Sequence, residues 1–357
     1  GNINNTEITT FSATGLDTTP PQYSNIITIP SSPATYDPNN NYQFNVTWTD
    51  DTAVSSVLIE HNFNGNLANY TVSQNGNEYY YTISSLSAGT YQWRMYATDP
   101  SNNLNSTPNQ TYIINKAVPI LTLTVNPSWT IGSGTNSEVT CTANTAQVIP
   151  LLSRNGFAVT NPDNATLNVG TFFYSCSNAI TQNYTAGTAQ NNLTVYDATS
   201  PSIANNTANP SPIDVGNNIT IGANVNDNVA VSSVWATIWD SLGSAVWTGL
   251  LNLVSGNLFS ASMLVDNTFS SMSTYTIYAN DTANNIASIN GSFLVNRLGN
   301  VGGYILDTSA SGINNAVVQL IRNGAVMQQM FSNSDGSYLF TTPAGIYNIT
   351  ATKSGYL

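Results

Sequence analysis

Aspartates in two matching sets are the first residues that could do chemistry. Asp50, Asp51 and Asp99 lie in predicted turns of one region, and Asp227 and Asp281 take the equivalent places in another. Carboxylates that gather near a junction between domains can bind Ca²⁺ through their oxygens. Aspartates in turns also accept hydrogen bonds from their own backbone. The sequence leaves both roles open, a weak calcium site or simple turn capping, and predicts no other cofactor.

No catalytic set accompanies these carboxylates. The one histidine, His61, shares the parity of Val57 and Ile59 on a predicted strand, which favours a core or rim position over a general base. Without a second histidine or a cysteine cluster, no zinc site of ordinary spacing can be assigned. The chain has no glycine-rich phosphate loop, serine elbow or zinc-peptidase motif. Lys116 closes a predicted domain instead of opening one, which argues against an internal Lys–Asn cross-link. The sequence predicts a protein without enzymatic activity.

Aromatic side chains offer a second kind of chemistry, the stacking of sugars. The candidates are Tyr79, Tyr80, Trp235, Trp239 and Trp247. Aromatic residues on strands also pack within ordinary sheets. Both interpretations remain open from the sequence.

The composition restricts the choice of partners. The 357 residues are 41% hydrophobic and only 7% charged, with six basic residues and a net charge of −12. Without a basic patch, nucleic acid is a poor candidate partner. No apolar run approaches the roughly 20 residues of a membrane span, and the first residues do not read as a signal peptide.

Glycosylation sequons are unusually dense and predict covalent N-glycans and an extracellular location. Chance in a chain rich in Asn and Thr is the alternative. The acceptor residues are Asn4, Asn45, Asn69, Asn105, Asn109, Asn164, Asn183, Asn192, Asn205, Asn218, Asn280, Asn290 and Asn348.

An internal repeat positions the aspartates. The sequence DDTAVSSV at 50–57 returns as DNVAVSSV at 227–234, and YATDPSNN at 96–103 returns as YANDTANN at 278–285. Upstream, DTTP at 17–20 is matched by DATSP at 197–201. Matching landmarks in one order indicate one folding unit used twice.

Alternating apolar residues predict an all-β fold of four tandem antiparallel β-sandwiches in an elongated array. In the first unit they predict strands over 42–48, 54–63, 79–83, 90–97 and 111–115, and in its repeat over 218–225, 231–239, 258–264, 273–279 and 292–295. We divide the chain into an N-terminal segment (1–16) and four modules: module 1 (17–116), module 2 (117–196), module 3 (197–297) and module 4 (298–357).

Modules 1 and 3 resemble the tandem immunoglobulin-like and fibronectin-like modules of bacterial and archaeal surface proteins. The resemblance is carried by the repeated motifs above. Module 2 resembles immunoglobulin-type sandwiches through FFYSC at 172–176, in which a tyrosine precedes Cys176 by two residues, as in a tyrosine corner. The tryptophan expected after Cys141 is missing, and Ile149, Leu151 and Leu152 stand there instead. The resemblance implies a disulfide between Cys141 and Cys176, with two buried free thiols as the alternative.

Module 4 resembles the carboxypeptidase-regulatory-like β-sandwich, which is an accessory domain without catalytic residues. The matching stretches are GYILD at 303–307, GINNAVVQL at 312–320, SDGSYLF at 334–340, PAGIYNIT at 343–350 and GY at 355–356. That family would continue into at least one further strand. We therefore expect module 4 to expose an open groove near Tyr356.

The N-terminal segment is strand-like and carries Ile3, Ile8 and Phe11 without a local partner. The sequence predicts that this segment of one subunit fills the groove of module 4 in the next by β-strand addition. Completion of the fold by a missing segment of the same chain is the alternative.

The function expected from the sequence is a structural subunit of an extracellular filament or surface layer that assembles head-to-tail with itself. Two alternatives remain: an adhesin or stalk that binds carbohydrate or another cell, and the non-catalytic stalk of a larger surface enzyme.

Overall fold

The computed structural model describes residues 15–356, so Asn4 and the predicted contact residues Ile3, Ile8 and Phe11 lie outside the described part. Every regular element within it is a β-strand. The prediction of an all-β fold of tandem antiparallel sandwiches is therefore confirmed. The chain folds into two compact units. One holds module 1 and most of module 2, and the other holds modules 3 and 4 with residues 131–135 and 167–170.

Module 1 contains two facing sheets, ordered β1-β3-β7-β6 and β2-β10-β8-β4-β5, with β9 paired to β8. Its strands are β1 Gln22–Ile29, β2 Ala34–Thr35, β3 Asn41–Thr49, β4 Ser56–His61, β5 Ala68–Thr71, β6 Ser73–Asn75, β7 Glu78–Ser84, β8 Gly89–Thr98, β9 Leu104–Ser106 and β10 Gln110–Asn115.

Module 3 repeats this strand order with sheets β19-β21-β25-β24 and β20-β27-β26-β22-β23, and one long β27 replaces β9 and β10. Its strands are β19 Ser202–Asn209, β20 Ile213–Asp214, β21 Asn218–Asn226, β22 Val231–Trp239, β23 Ala245–Leu250, β24 Asn252–Ser255, β25 Leu258–Leu264, β26 Met272–Asp281 and β27 Ile286–Asn296. Even the bulge in the first strand recurs, since Asn25 and Asn205 both adopt positive φ there.

Module 2 has sheets β11-β13-β16 and β12-β18-β17-β14-β15. Its strands are β11 Leu121–Asn126, β12 Thr130–Gly132, β13 Asn136–Ala143, β14 Leu151–Arg154, β15 Phe157–Ala158, β16 Asp163–Thr166, β17 Gly170–Ser177 and β18 Thr188–Tyr196. Cys141 on β13 bonds to Cys176 on β17, so the predicted disulfide joins the two sheets.

Tyr174, the residue predicted to form a tyrosine corner, has a different hydrogen-bond partner from the one that this motif implies. The hydroxyl of Tyr174 donates to the side chain of Asp163, at 2.7 Å, and not to a backbone carbonyl. Arg154 donates to the same carboxylate oxygen at 2.7 Å. Burial first, and then the hydrogen bond to Asp163, raise the pKa of Tyr174 to about 12, so the phenol stays a donor. Leu152, 3% exposed, fills the place of the missing tryptophan.

Module 4 has a two-stranded sheet, β28-β31, and a three-stranded sheet, β30-β29-β32. Its strands are β28 Leu298–Tyr304, β29 Val317–Arg322, β30 Ala325–Phe331, β31 Ser337–Pro343 and β32 Asn348–Thr352. Its buried core is small and centres on Val318, Leu320 and Phe340.

Candidate cation sites in the first and third modules

The loops that leave the sheets at one end of module 3 carry the acidic cluster. Asp227 follows β21, Asp281 ends β26, and Asp197 lies in the segment that enters the module before β19. One carboxylate oxygen from each lies within 4.8 Å of the others. Oxygens that each sit about 2.4 Å from one shared Ca²⁺ are at most about 5 Å apart, so this spacing suits that ion.

Hydrogen bonds hold the three carboxylates in place and leave two of their oxygens free. Asp227 Oδ2 accepts from the amides of Val229 and Ala230, at 2.8 and 3.0 Å. Asp197 Oδ1 accepts from Thr199 N and Asn228 Nδ2, both at 3.1 Å. Asp227 Oδ1 and Asp197 Oδ2 are buried and have no protein donor.

The third carboxylate is the most enclosed. Asp281 is 0% exposed, and its Oδ1 accepts from the amides of Ala283 and Asn285, both at 2.8 Å. Burial alone would raise its pKa, but these hydrogen bonds and one from the Asn285 side chain lower it below the ordinary aspartate value. Asp281 is therefore ionised near neutral pH.

The equivalent cluster in module 1 differs in membership and in hydrogen bonding. The oxygens that converge within 4.8 Å belong to Asp17, Asp50 and Asp51, so Asp17 takes the place predicted for Asp99. Asp99 is 2% exposed and accepts from both nitrogens of Asn103, at 2.8 and 2.7 Å, as a turn cap. Burial opposes but does not outweigh these bonds, and the pKa of Asp99 is lowered.

Asp17 in module 1 has no free oxygen. Its Oδ1 accepts from Thr19 N at 2.9 Å, and its Oδ2 accepts from the hydroxyl of Thr52 at 2.8 Å. Asp50 Oδ1 is the one oxygen of this cluster that is buried without a donor. Neither Asp17 nor Asp197 was predicted from the sequence as a member of these clusters, although each belongs to a repeated landmark.

His61 lies in the core of module 1, as its parity indicated. It is 0% exposed and stacks against Phe63 and Tyr70, with ring centroids 4.0 and 4.3 Å away. Burial lowers its pKa to about 4, its Nδ1 accepts from Phe63 N, and its Nε2 has no partner. A neutral imidazole sealed from solvent cannot exchange protons with a substrate.

The predicted stacking residues do not all lie at the surface of their modules. Tyr79 is only 7% exposed, and its hydroxyl accepts a hydrogen bond from Gln74 at 2.8 Å. Trp247 faces the core side of its sheet and packs against the module 3 core. Trp235 is half-buried and stacks in parallel on Tyr278, at 5.3 Å and 13°. Trp235 and Tyr278 form the one stacked aromatic pair at the surface of the described part of module 3.

The sequons separate into open and enclosed sites. The prediction of Asn45 as a glycan acceptor is wrong, because its side chain is buried. The residue is 5% exposed, and its Nδ2 donates to Glu78 at 2.7 Å. The amides of Asn105 and Asn183 are half-buried donors within the protein, and Asn280 is half-buried. The exposed acceptors are Asn69, Asn109, Asn164, Asn192, Asn205, Asn218, Asn290 and Asn348.

Neighbouring modules are held together within each unit. Tyr36 of module 1 packs edge-on against Tyr184 of module 2 at 5.5 Å, and both are buried. The Ala88 amide donates to Asn183 Oδ1 at 3.0 Å, and Gln182 Nε2 donates to the Ala88 carbonyl at 2.7 Å. In the other unit, Asp214 of module 3 pairs with Arg322 of module 4 at 2.6 Å.

Module 4 carries an open groove of about 1150 Å³. Ile305, Ile313 and Val317 line it together with Ala351 of β32 and the predicted contact residue Tyr356. β32 is an edge strand among the described residues. No described segment forms a helix long and apolar enough to cross a membrane.

No protein-family model and no curated protein sequence matches the chain. Solved structures with a similar course include a tetra-tandem repeat from the extending region of a large adhesion protein, at 19% identity, with 87% of this chain and 89% of that chain covered and a TM-score of 0.37. A Ca²⁺-stabilised adhesin of an Antarctic bacterium gives 13% identity, coverage of 88% and 93%, and a TM-score of 0.39. The D1–D4 ectodomain fragment of ICAM-5 gives 9% identity, with 93% of this chain and 98% of that chain covered and a TM-score of 0.42. At these identities and TM-scores, the similarities establish neither a shared function nor a shared ligand.

Proposed function

We propose that this protein is a non-catalytic extracellular stalk in which the neighbouring modules of each compact unit hold one another in a fixed orientation. The buried junction between modules 1 and 2 is the observation that carries the proposal. A flexible linker would leave Tyr36 and Tyr184 in water, whereas here both rings are buried and flanking side chains hydrogen-bond across the junction. The inter-sheet disulfide and the open sequons support an oxidising, extracellular location.

Spin labels on each side of the junction test this proposal. Cysteines introduced at the exposed positions Ser73 and Asn192 react selectively, because both native cysteines are bonded. We expect a narrow distribution of label distances that Tyr184→Ala broadens. The matched control Phe157→Ala removes an exposed ring from the module 2 hairpin and should leave the distribution narrow. A broad distribution in the unmodified protein would contradict the stalk.

We further propose that the acidic cluster of module 3 takes calcium as a structural ion, and that the exposed sequons carry N-glycans. Glycopeptide mass spectrometry of native material checks the glycans. Sugar at Asn69 or Asn218 but not at Asn45 is the expected pattern, since a transferase must reach the amide.

Assembly into a filament is the second candidate function, and the groove of module 4 favours it. An edge strand beside an open groove can accept an added strand from another chain. The proposed occupant is the N-terminal segment (1–16) of a second copy, which carries the apolar residues Ile3, Ile8 and Phe11.

Two variants test strand addition. Deletion of residues 1–15 should give folded monomers. Ala351→Arg, beside the core-facing Val318, should block the groove, whereas Thr350→Arg on the other face of β32 should not. Filaments from the truncated protein would exclude this mechanism. Binding to a glycan array that Trp235→Ala abolishes would instead support an adhesin.

A further inference from the structure

The repeat allows the two acidic clusters to be compared position by position. Asp17, Asp50, Asp51 and Thr52 of module 1 correspond to Asp197, Asp227, Asn228 and Val229 of module 3. In both modules the second aspartate caps its own loop through Oδ2, with amide donors at 3.0 and 3.1 Å in module 1 and at 2.8 and 3.0 Å in module 3. The loop backbone is thus held in the same way, and the difference lies in the side chains.

The first difference is at the entry aspartate. In module 1 the Thr52 hydroxyl donates to Asp17 Oδ2 at 2.8 Å, and in module 3 a valine with no donor stands in that place. Asp197 is 7% exposed, and its Oδ2 is buried without a partner. A buried carboxylate oxygen without a donor is costly unless a ligand satisfies it.

The second difference is at the residue after the loop aspartate. Asn228 donates its amide to Asp197 Oδ1 at 3.1 Å, which orients the carboxylate without adding charge. Asp51 at the equivalent place is exposed and adds a third negative charge at the rim of the cluster. The three ion pairs among the described residues involve Glu60, Asp163 and Asp214, so no basic side chain neutralises either cluster.

We infer that the two copies have diverged, so that the module 3 cluster binds one calcium ion tightly and the Thr52 hydroxyl suppresses binding in module 1. The ion takes Asp197 Oδ2, Asp227 Oδ1 and Asp281 as ligands, and half-buried Asp227 leaves a path from solvent. This inference rests on the cation role proposed above. The difference between Val229 and Thr52 decides which of the two repeats binds the ion.

The test is calorimetric titration of the chelator-treated full chain with CaCl₂ alone. We expect one tight site per chain. Asp197→Asn keeps the acceptor for Thr199 and Asn228 but replaces a ligand oxygen, and should weaken this site by about 100-fold. Asp240→Asn is the matched control, because Asp240 caps a turn of the same module outside the cluster and loses the same charge. It should bind as the unmodified protein does.

Reciprocal swaps test the switch with side chains of nearly equal size. Val229→Thr supplies the hydroxyl to Asp197 and should weaken the tight site by about tenfold, while Thr52→Val should create a second site. Circular dichroism confirms that each variant is folded, and if Asp197→Asn fails to fold, the swaps carry the test.

Two equal sites in the unmodified protein, no binding at millimolar calcium, or swaps without effect would each overturn the inference. None of these outcomes affects the label distances across modules 1 and 2. The proposal of a stalk is therefore tested independently of calcium binding.

Discussion

Strands β3 and β21 have the same length and the same alternation of buried and exposed residues, but they bury different side chains. β3 buries Tyr42, Phe44 and Trp48, where β21 buries Ile219, Ile221 and Val225. The facing strand keeps a ring at the equivalent place, with Trp93 opposite Phe44 in module 1 and Tyr275 in module 3. The same strand order thus accepts rings or aliphatic chains on this central strand, because the alternation of buried and exposed positions decides the fold more than the identity of each residue.

Truncation in the two cores should give the largest effect. Phe44 packs against Phe63, Trp93 and Tyr112, with centroids 4.4, 5.2 and 5.1 Å away. Phe44→Ala should lower the free energy of unfolding of module 1 by about 4 kcal/mol, and Ile221→Ala that of module 3 by about 3 kcal/mol. Hydrogen exchange resolved by peptide in the full chain measures both. A larger loss of unfolding free energy from Ile221→Ala than from Phe44→Ala would contradict the expectation that ring contacts stabilise the module 1 core.

The repeated motifs made much of this comparison predictable. They lie in the strands and turns that the two modules share, so the matching strand order followed from the sequence. The first strands, β1 and β19, were missed because SIANNTAN at 202–209 and its counterpart have little apolar alternation. Such edge strands are defined by pairing with a neighbour more than by their own pattern.

The membership of the acidic clusters could not be read from the chain in the same way. Asp197 is 84 residues from Asp281 in sequence, and only the folded entry segment brings it beside the two loops. Whether Tyr79 packs in the sheet or faces solvent stayed open in the sequence for a related reason. Its orientation depends on its register with β3, where it pairs with Val46 of the core.

His61 gives the second contrast, because Ile238 takes the equivalent place in module 3. The imidazole is neutral in the folded state, where burial lowers its pKa to about 4, and has an ordinary pKa of about 6.5 when unfolded. The stability of module 1 is therefore full above pH 6.5 and falls as the pH drops towards 4, by about 3 kcal/mol in all.

His61→Ile should remove that loss, so that variant and unmodified protein differ little at pH 8 and by about 3 kcal/mol at pH 4. Urea unfolding at the two pH values, with module 1 peptides followed by pulse labelling, is the measurement. The reciprocal Ile238→His should make module 3 acid-sensitive. An unmodified module 1 that is equally stable at both pH values would show that the imidazole is not sealed.

The smallest effect concerns how each module holds its entry segment. Asn103 Nδ2 donates to the Asp17 carbonyl at 3.0 Å and to Asp99 Oδ2 at 2.7 Å. Asn285 Nδ2 donates to the Asp197 carbonyl at 3.2 Å and to Asp281 Oδ2 at 2.8 Å. Without calcium, Asn103→Ala and Asn285→Ala should each cost about 1.5 kcal/mol, seen as faster exchange in the peptides around Asp17 and Asp197.

Calcium should affect these two variants differently. An ion shared by Asp197 and Asp281 ties the entry segment to the same loop that Asn285 holds, so saturating calcium should restore protection in Asn285→Ala. In Asn103→Ala it should restore little, because the hydroxyl of Thr52 already occupies Asp17 Oδ2. Equal rescue of both variants would show that the clusters are alike in their response to the ion. No rescue of either would show that, in module 3, hydrogen bonds alone hold the entry segment to the loop.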